Sequence, residues 1–198
     1  MAVTLFWQGP IGPGAFPAPY REDSLLFETL CQSGVYLRVK LYEGGRTVAY
    51  AGQSVSLLSR FDQHLSAMLS LAAPLRDASG AVVFSGDAEA RIDAYDRLDE
   101  ASAMAVADTR RVRFFYALCD AYFHVEHLNL AEGLLQRRIA DRLSDVENAV
   151  AAPGRVPDDC PDVWENDFGD IDPEGRVVLE AMLGTAPILL NPVAGDAA

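Results

Sequence analysis

From Val35 to Tyr42 the chain alternates apolar and polar positions without a break. Val35, Leu37, Val39 and Leu41 fall on one side, and Tyr36, Arg38, Lys40 and Tyr42 on the other. Period two marks a strand with one buried face. Gly44 and Gly45 follow, a pair that permits positive φ, and residues 47–52 return as a second strand, so the segment predicts a β-hairpin. The period then changes. Over 55–73, Leu58, Phe61, Leu65, Met68 and Leu69 form a stripe at helical spacing, with Ser54 in the N-cap place and Pro74 beyond the end. Residues 24–32 predict a short helix capped by Ser24, 79–86 a short strand or loop, and 87–106 an acidic helix. Residues 110–120, rich in β-branched and aromatic side chains, predict a further strand. Asn129-Leu-Ala-Glu132 has the form of a capping box opening a helix that runs to about 148. Residues 153–176 predict a loop, 177–183 a last short helix, and the tail after Pro187 nothing regular. The first 23 residues hold four prolines and three glycines and predict an extended arm or edge segment.

Together these elements predict an α+β fold. A small central sheet, the hairpin plus at least one further strand, is flanked by helices, with an acidic helical insertion at 77–108 and irregular arms at both ends. One domain spans 1–198: an N-terminal arm to 33, a core over 34–145, and an acidic extension from 146. Apolar residues make up 50% of the chain, enough for one sizeable core. No apolar run approaches the length of a membrane span, and the start lacks the basic and apolar regions of a signal peptide. Cys31, Cys119 and Cys160 are odd in number, far apart and without a C-x-x-C pair, which predicts a reduced, cytoplasmic protein.

A net charge of −13 argues against a nucleic-acid partner, because duplex DNA is a polyanion. The distribution changes that reading. Residues 77–108 carry eight acidic against two basic side chains, and 145–180 carry eleven against two. Residues 34–76 reverse the sign, with Arg38, Lys40, Arg46, Arg60 and Arg76 against Glu43 and Asp62. Two mildly basic blocks thus stand in an acidic frame, which also serves solubility.

The basic block carries the candidate chemistry. Alternation puts Tyr36 on one face with Arg38 and Lys40, and an antiparallel hairpin can bring Tyr50 to it. Arg60 and His64 are one helical turn apart. A guanidinium grips two phosphate oxygens at once, and a carboxylate such as Glu132 can hold one Mg²⁺ or Mn²⁺ beside a substrate phosphate. A tyrosine base would need nearby cations to lower its pKa. Each residue also has a plain structural role open to it: cross-strand aromatics for the tyrosines, a turn for Gly52, a solvated helix face for Arg60 and His64, and a cap partner for Glu132. His124-Val-Glu126-His127 lacks the H-E-x-x-H spacing of a metal motif, and the aromatics of 114–123 predict core rather than a stacking platform.

Taken jointly, Gly34-Val35-Tyr36, Tyr50-Ala51-Gly52, Arg60 ten residues later, His64 four further and Ala131-Glu132-Gly133-Leu134-Leu135 resemble the GIY-YIG nuclease family. The resemblance covers roughly 33–70 and 110–145 and is closest to the restriction-enzyme branch. Val35 and Ala51 replace the motif isoleucines, and the acidic insertion separates Arg60 from Glu132. The resemblance implies a metal-dependent endonuclease, restriction-like or a stand-alone repair enzyme, hydrolysing phosphodiesters of double-stranded DNA. It implies Tyr36 as base, Tyr50 orienting water or phosphate, Arg60 on the phosphate, His64 assisting and Glu132 on a divalent ion. Arg38, Lys40, Gly52 and Ser54 are the expected DNA contacts, and Asn148 or Asn166 the counterpart of a late asparagine. A homodimer or a protein partner is compatible with this reading. The alternative is an inactive binding module of the same fold, acting through protein partners.

Overall fold

The computed structural model describes residues 2–13, 25–147 and 160–190. Ser24, Asn148, the remainder of the N-terminal arm, the start of the 153–176 segment and the last eight residues of the tail lie outside them.

Eight strands and six α-helices are described. The strands are β1 (Ala2–Ile11), β2 (Gly34–Leu41), β3 (Thr47–Ser54), β4 (Leu75–Arg76), β5 (Val82–Phe84), β6 (Val112–Leu118), β7 (Val163–Asp167) and β8 (Ile188–Leu189). The helices are α1 (Leu25–Leu30), α2 (Leu57–Leu69), α3 (Ala88–Asp96), α4 (Leu98–Arg110), α5 (Leu128–Ala140) and α6 (Pro173–Leu183). Six strands make one sheet in the order β3-β2-β6-β1-β7-β8, and β4 and β5 pair separately. The α+β class is therefore as the sequence predicts, with helices flanking a larger sheet.

The arms are where structure and expectation part. β1 is a ten-residue strand inside the sheet, antiparallel to β6 and parallel to β7. Val3, Leu5 and Trp7 alternate inward and are buried. The prolines and glycines obscured this alternation, although they fall at and after the strand's end. A register shift between Gln8 and Ile11 turns Ile11 to the opposite face of the sheet. At the other end, β7 and the first turn of α6 occupy ground expected to be loop, residues 177–183 are helical as expected, and β8 pairs with β7 where nothing regular was expected. Asp172 caps α6 by accepting from Gly175 N, with Pro173 in the first turn.

β2 is buried along nearly its whole length, on both faces, rather than half-buried. Its apolar face (Val35, Leu37, Val39) joins Trp7, Phe115, Ala117 and the inner sides of α5 and α6 in the largest core. Its other face carries Tyr36 against Phe114 of β6 and Leu57, Phe61 and Met68 of α2. The acidic insertion is two helices, broken at Arg97, packed with β4 and β5 around a third core that includes Leu75, Phe84, Ala101 and Ala105. A strand between two neighbours under two helical layers has no solvated face, and its polar side chains must find partners.

Gly34 shows how tightly β2 meets β6. A Cβ there would lie 2.3 Å from the carbonyl oxygen of Ala117, so the first glycine of the hairpin is required by backbone approach.

Candidate functional site

The hairpin register sets the site. Tyr36 pairs with Gly52 and Arg38 with Tyr50, so all three side chains share one face. Gly52 makes room for a phenol: a Cβ there would lie 2.4 Å from the Tyr36 hydroxyl. The Tyr36 and Tyr50 rings are diagonal neighbours, with centroids 6.2 Å apart and planes 18° from parallel. α2 lies across this face and lowers Arg60 and His64 onto it. Its start differs slightly from expectation, because Ser56 is the N-cap residue. Ser54 instead ties the preceding turn, its hydroxyl donating to Ser56 O and accepting from Ser56 N.

Two expected residues meet on one atom of a third, the Tyr36 hydroxyl oxygen. His64 Nε2 is 2.6 Å away, and Arg60 Nε donates to it at 3.2 Å. The Tyr50 ring meets the His64 ring edge-on at 4.9 Å, and the Arg38 guanidinium lies over Tyr50 at 5.1 Å. Arg38 also reaches His64 Nδ1 at 3.0 Å. Arginine only donates, so Nδ1 presents its lone pair and the neutral ring carries its proton on Nε2. Two donors are thereby aimed at the phenolic oxygen.

Burial sets the charge states. It holds Tyr36 well above the ordinary phenol range, outweighing the pull of Arg60 and Arg38. The cations that a tyrosine base would need are beside it, but burial prevails: at rest Tyr36 keeps its proton. His64 is driven down to about 3 by burial, assisted by Arg38, Arg60 and Lys40. The unfolded chain therefore takes up a proton near the normal histidine pKa of about 6.5 that the folded protein refuses until far lower pH. Stability is expected to fall as pH drops through that window. The fall should be smaller in His64→Gln, measured by urea melts of both proteins with Arg38, Arg60, Lys40, Tyr36 and Tyr50 unchanged around the ring.

Glu132 belongs to α5, which packs against β3 from the other side of the sheet. Its half-buried carboxylate accepts from Gln136 Nε2 at 3.3 Å, and Gln136 also reaches the Ala51 carbonyl at 3.4 Å. Burial raises the Glu132 pKa, while the Arg60 charge pulls it down. The capping box is not formed. α5 follows a turn at Val125–His127, His127 is its N-cap residue, and Asn129 lies inside the helix accepting from Gln53. The helix ends at Ala140, short of the expected 148. His124 and His127 stack at 5.4 Å and cap that turn, a structural use of the pair.

Three of the four expected DNA contacts are buried. Arg38 is 7% exposed and is paired with Glu147; Lys40 is 1% exposed and donates to Asp108 Oδ2 at 2.7 Å. Gly52 faces the phenol, and Ser54 spends its hydroxyl on the turn. These are structural positions, because the helical layer covers the face that the hairpin alone would leave open. Asn166, a candidate late asparagine, lies in β7 and accepts from Trp7 Nε1 at 2.9 Å.

Sequence reasoning missed Asp108, Arg76 and Glu147. Asp108 Oδ1 accepts from Tyr42 at 2.7 Å, and Glu147 Oε1 accepts from Arg76 at 3.2 Å. No local signal singles any of them out.

Among the described residues no three His, Cys, Asp or Glu side chains gather as a metal cage. The donor set, one half-buried carboxylate, fits Mg²⁺ or Mn²⁺ only in the manner of an ion that keeps several waters and shares a substrate phosphate. No helix among the described residues is long and apolar enough to cross a membrane. No known protein family, curated protein or solved structure matches this chain.

Proposed function

We propose that the protein is a divalent-metal-dependent endonuclease that hydrolyses DNA phosphodiester bonds, of the GIY-YIG type. The observation that carries the reading is the gathering of His64 and Arg60 on the Tyr36 oxygen, beside Tyr50. Chance packing of cross-strand aromatics does not require a histidine and an arginine on one hydroxyl.

The chain's own groups divide the work. Arg60 brings a permanent cation to the phosphate. Tyr36 serves as base only as the phenolate: with substrate bound the phenol gives its proton to solvent, the hydrogen bonds from His64 and Arg60 favour the anion so formed, and the phenolate then takes the proton of the attacking water. Tyr50 flanks the phenol and orients the phosphate or water. Glu132 would hold the divalent ion, which would supply charge stabilisation to the developing alkoxide. With most of the acidic charge outside the site's own segments, restriction-like or repair action on duplex DNA, as a homodimer or with a protein partner, is the biological setting we favour.

The test is nicking of supercoiled plasmid. Cleavage is expected with Mg²⁺ or Mn²⁺, lost on chelation with EDTA, restored on adding the ion back, and lost in Glu132→Gln. The second reading, an inactive binding module, draws on the raised pKa of Tyr36. No cleavage of plasmid or branched DNA with either ion, from folded protein, would decide for it.

A further inference from the structure

After α5, residues 145–147 run along the outer edge of β3. Ala49 N donates to Asp145 O at 3.2 Å and Glu147 N to Ala49 O at 2.8 Å, a short parallel bridge. Arg46 forks the Asp145 carboxylate with bonds of 2.8 and 3.0 Å, pinning the segment from the hairpin turn. This strap crosses the sheet edge and delivers Glu147 to the face opposite α5's core. There its carboxylate meets Arg38 and Arg76, with Lys40 Nζ 3.9 Å away.

Arg38 is the consequential partner. One terminal nitrogen is bound by Glu147, and the other donates to His64 Nδ1. The guanidinium is rigid and planar, so gripping one nitrogen aims the other. We propose that Glu147 is a positioning residue: by holding Arg38 it keeps His64 in the Nε2–H tautomer and so directs the second donor at the Tyr36 oxygen. Glu147 touches neither Tyr36 nor His64 and acts through Arg38 alone. Only the consequence for cleavage rests on the nuclease reading; the tautomer does not.

The alternative is that Glu147 merely neutralises three crowded cations. The two are separated by ¹⁵N-histidine NMR on the full chain at neutral pH, with the fold checked by circular dichroism. Wild-type His64 is expected to carry its proton on Nε2. Glu147→Ala is expected to give a mixture of tautomers, and Glu147→Gln, which keeps an acceptor for Arg38, to return most of the Nε2–H form. In cleavage assays Glu147→Ala should lower kcat by about ten- to a hundredfold with KM little changed, in the range of losses when an orienting partner is removed. A wild-type ring protonated on Nδ1, or a tautomer unchanged in Glu147→Ala, overturns the proposal even if the protein cuts DNA. A tautomer shift in a protein that cuts nothing upholds it and removes the nuclease reading instead. Should Glu147→Ala fail to fold, the wild-type ring and Glu147→Gln still decide, since loss of the Nε2–H form in folded Glu147→Gln also counts against it.

Discussion

Tyr36→Phe is expected to reduce DNA cleavage by about 10²- to 10⁴-fold, the range for a positioned acid–base group, while the protein stays folded. The substitution removes one oxygen and nothing else from a residue whose ring is packed between Tyr50, Phe61 and Phe114. That oxygen is where His64 and Arg60 meet. Losing it strands two donors at a cost of about 1–3 kcal/mol, which a domain of ordinary stability survives. Initial rates of plasmid nicking and a thermal melt separate the two effects. The ring packing predicts a modest melting shift, and the chemistry predicts a large rate loss. Unchanged nicking would remove Tyr36 from the reaction. The raised pKa of the phenol sharpens the test, since a phenol that remains protonated at rest contributes only once the substrate changes the charge around it.

Asp108→Ala is expected to destabilise the protein by about 3–5 kcal/mol, the cost of stranding one member of a buried ion pair. Asp108 is fully buried and serves two partners, Lys40 and Tyr42. Burial lowers the Lys40 pKa while Glu147 and Asp108 support its charge, so without Asp108 the ammonium has only the more distant Glu147. A melting temperature lower by roughly 10 °C follows for a domain of this length. The informative companion is Lys40→Met with Asp108→Leu and Tyr42→Phe. Replacing the whole polar cluster by apolar groups should recover much of the loss, since the penalty comes from the unpaired charge and not from the missing attraction. Equal destabilisation in both proteins would contradict this account.

Asp108 also shows why the acidic insertion misled. Its surface acids read as solvation, and residues 87–106 read as one acidic helix of an insertion. Yet α4 ends by driving a carboxylate under β2, so the insertion helps to hold the strand that carries Tyr36 and Arg38. Glu147 does the same from the other direction. These contacts join residues 68 and 109 positions apart, and nothing local marks them. By contrast, Tyr36, Tyr50, Arg60 and His64 were legible because each is fixed by short-range geometry. Strand alternation and hairpin pairing set the tyrosines, and a single helical turn sets Arg60 and His64.

β1 was missed for a different reason. Its inward Val3, Leu5 and Trp7 follow the strand period, but Gly9 and Pro10 close the strand and suggested an arm. Whether such a segment becomes a central strand depends on having β6 and β7 to pair with, one of them more than 150 residues away.

The sequence by itself determined the hairpin, the shared face of its tyrosines, the placing of Arg60 and His64 on one side of a helix, and the α+β class, because these follow from backbone periodicity. Only the tertiary structure decided that β2 is covered on both faces. With that covering came the protonated state of Tyr36, the neutral ring of His64, and the conversion of Arg38 and Lys40 from surface cations into buried partners of Glu147 and Asp108. Desolvation depends on which distant layers close over a group, and that is a property of the packed chain alone.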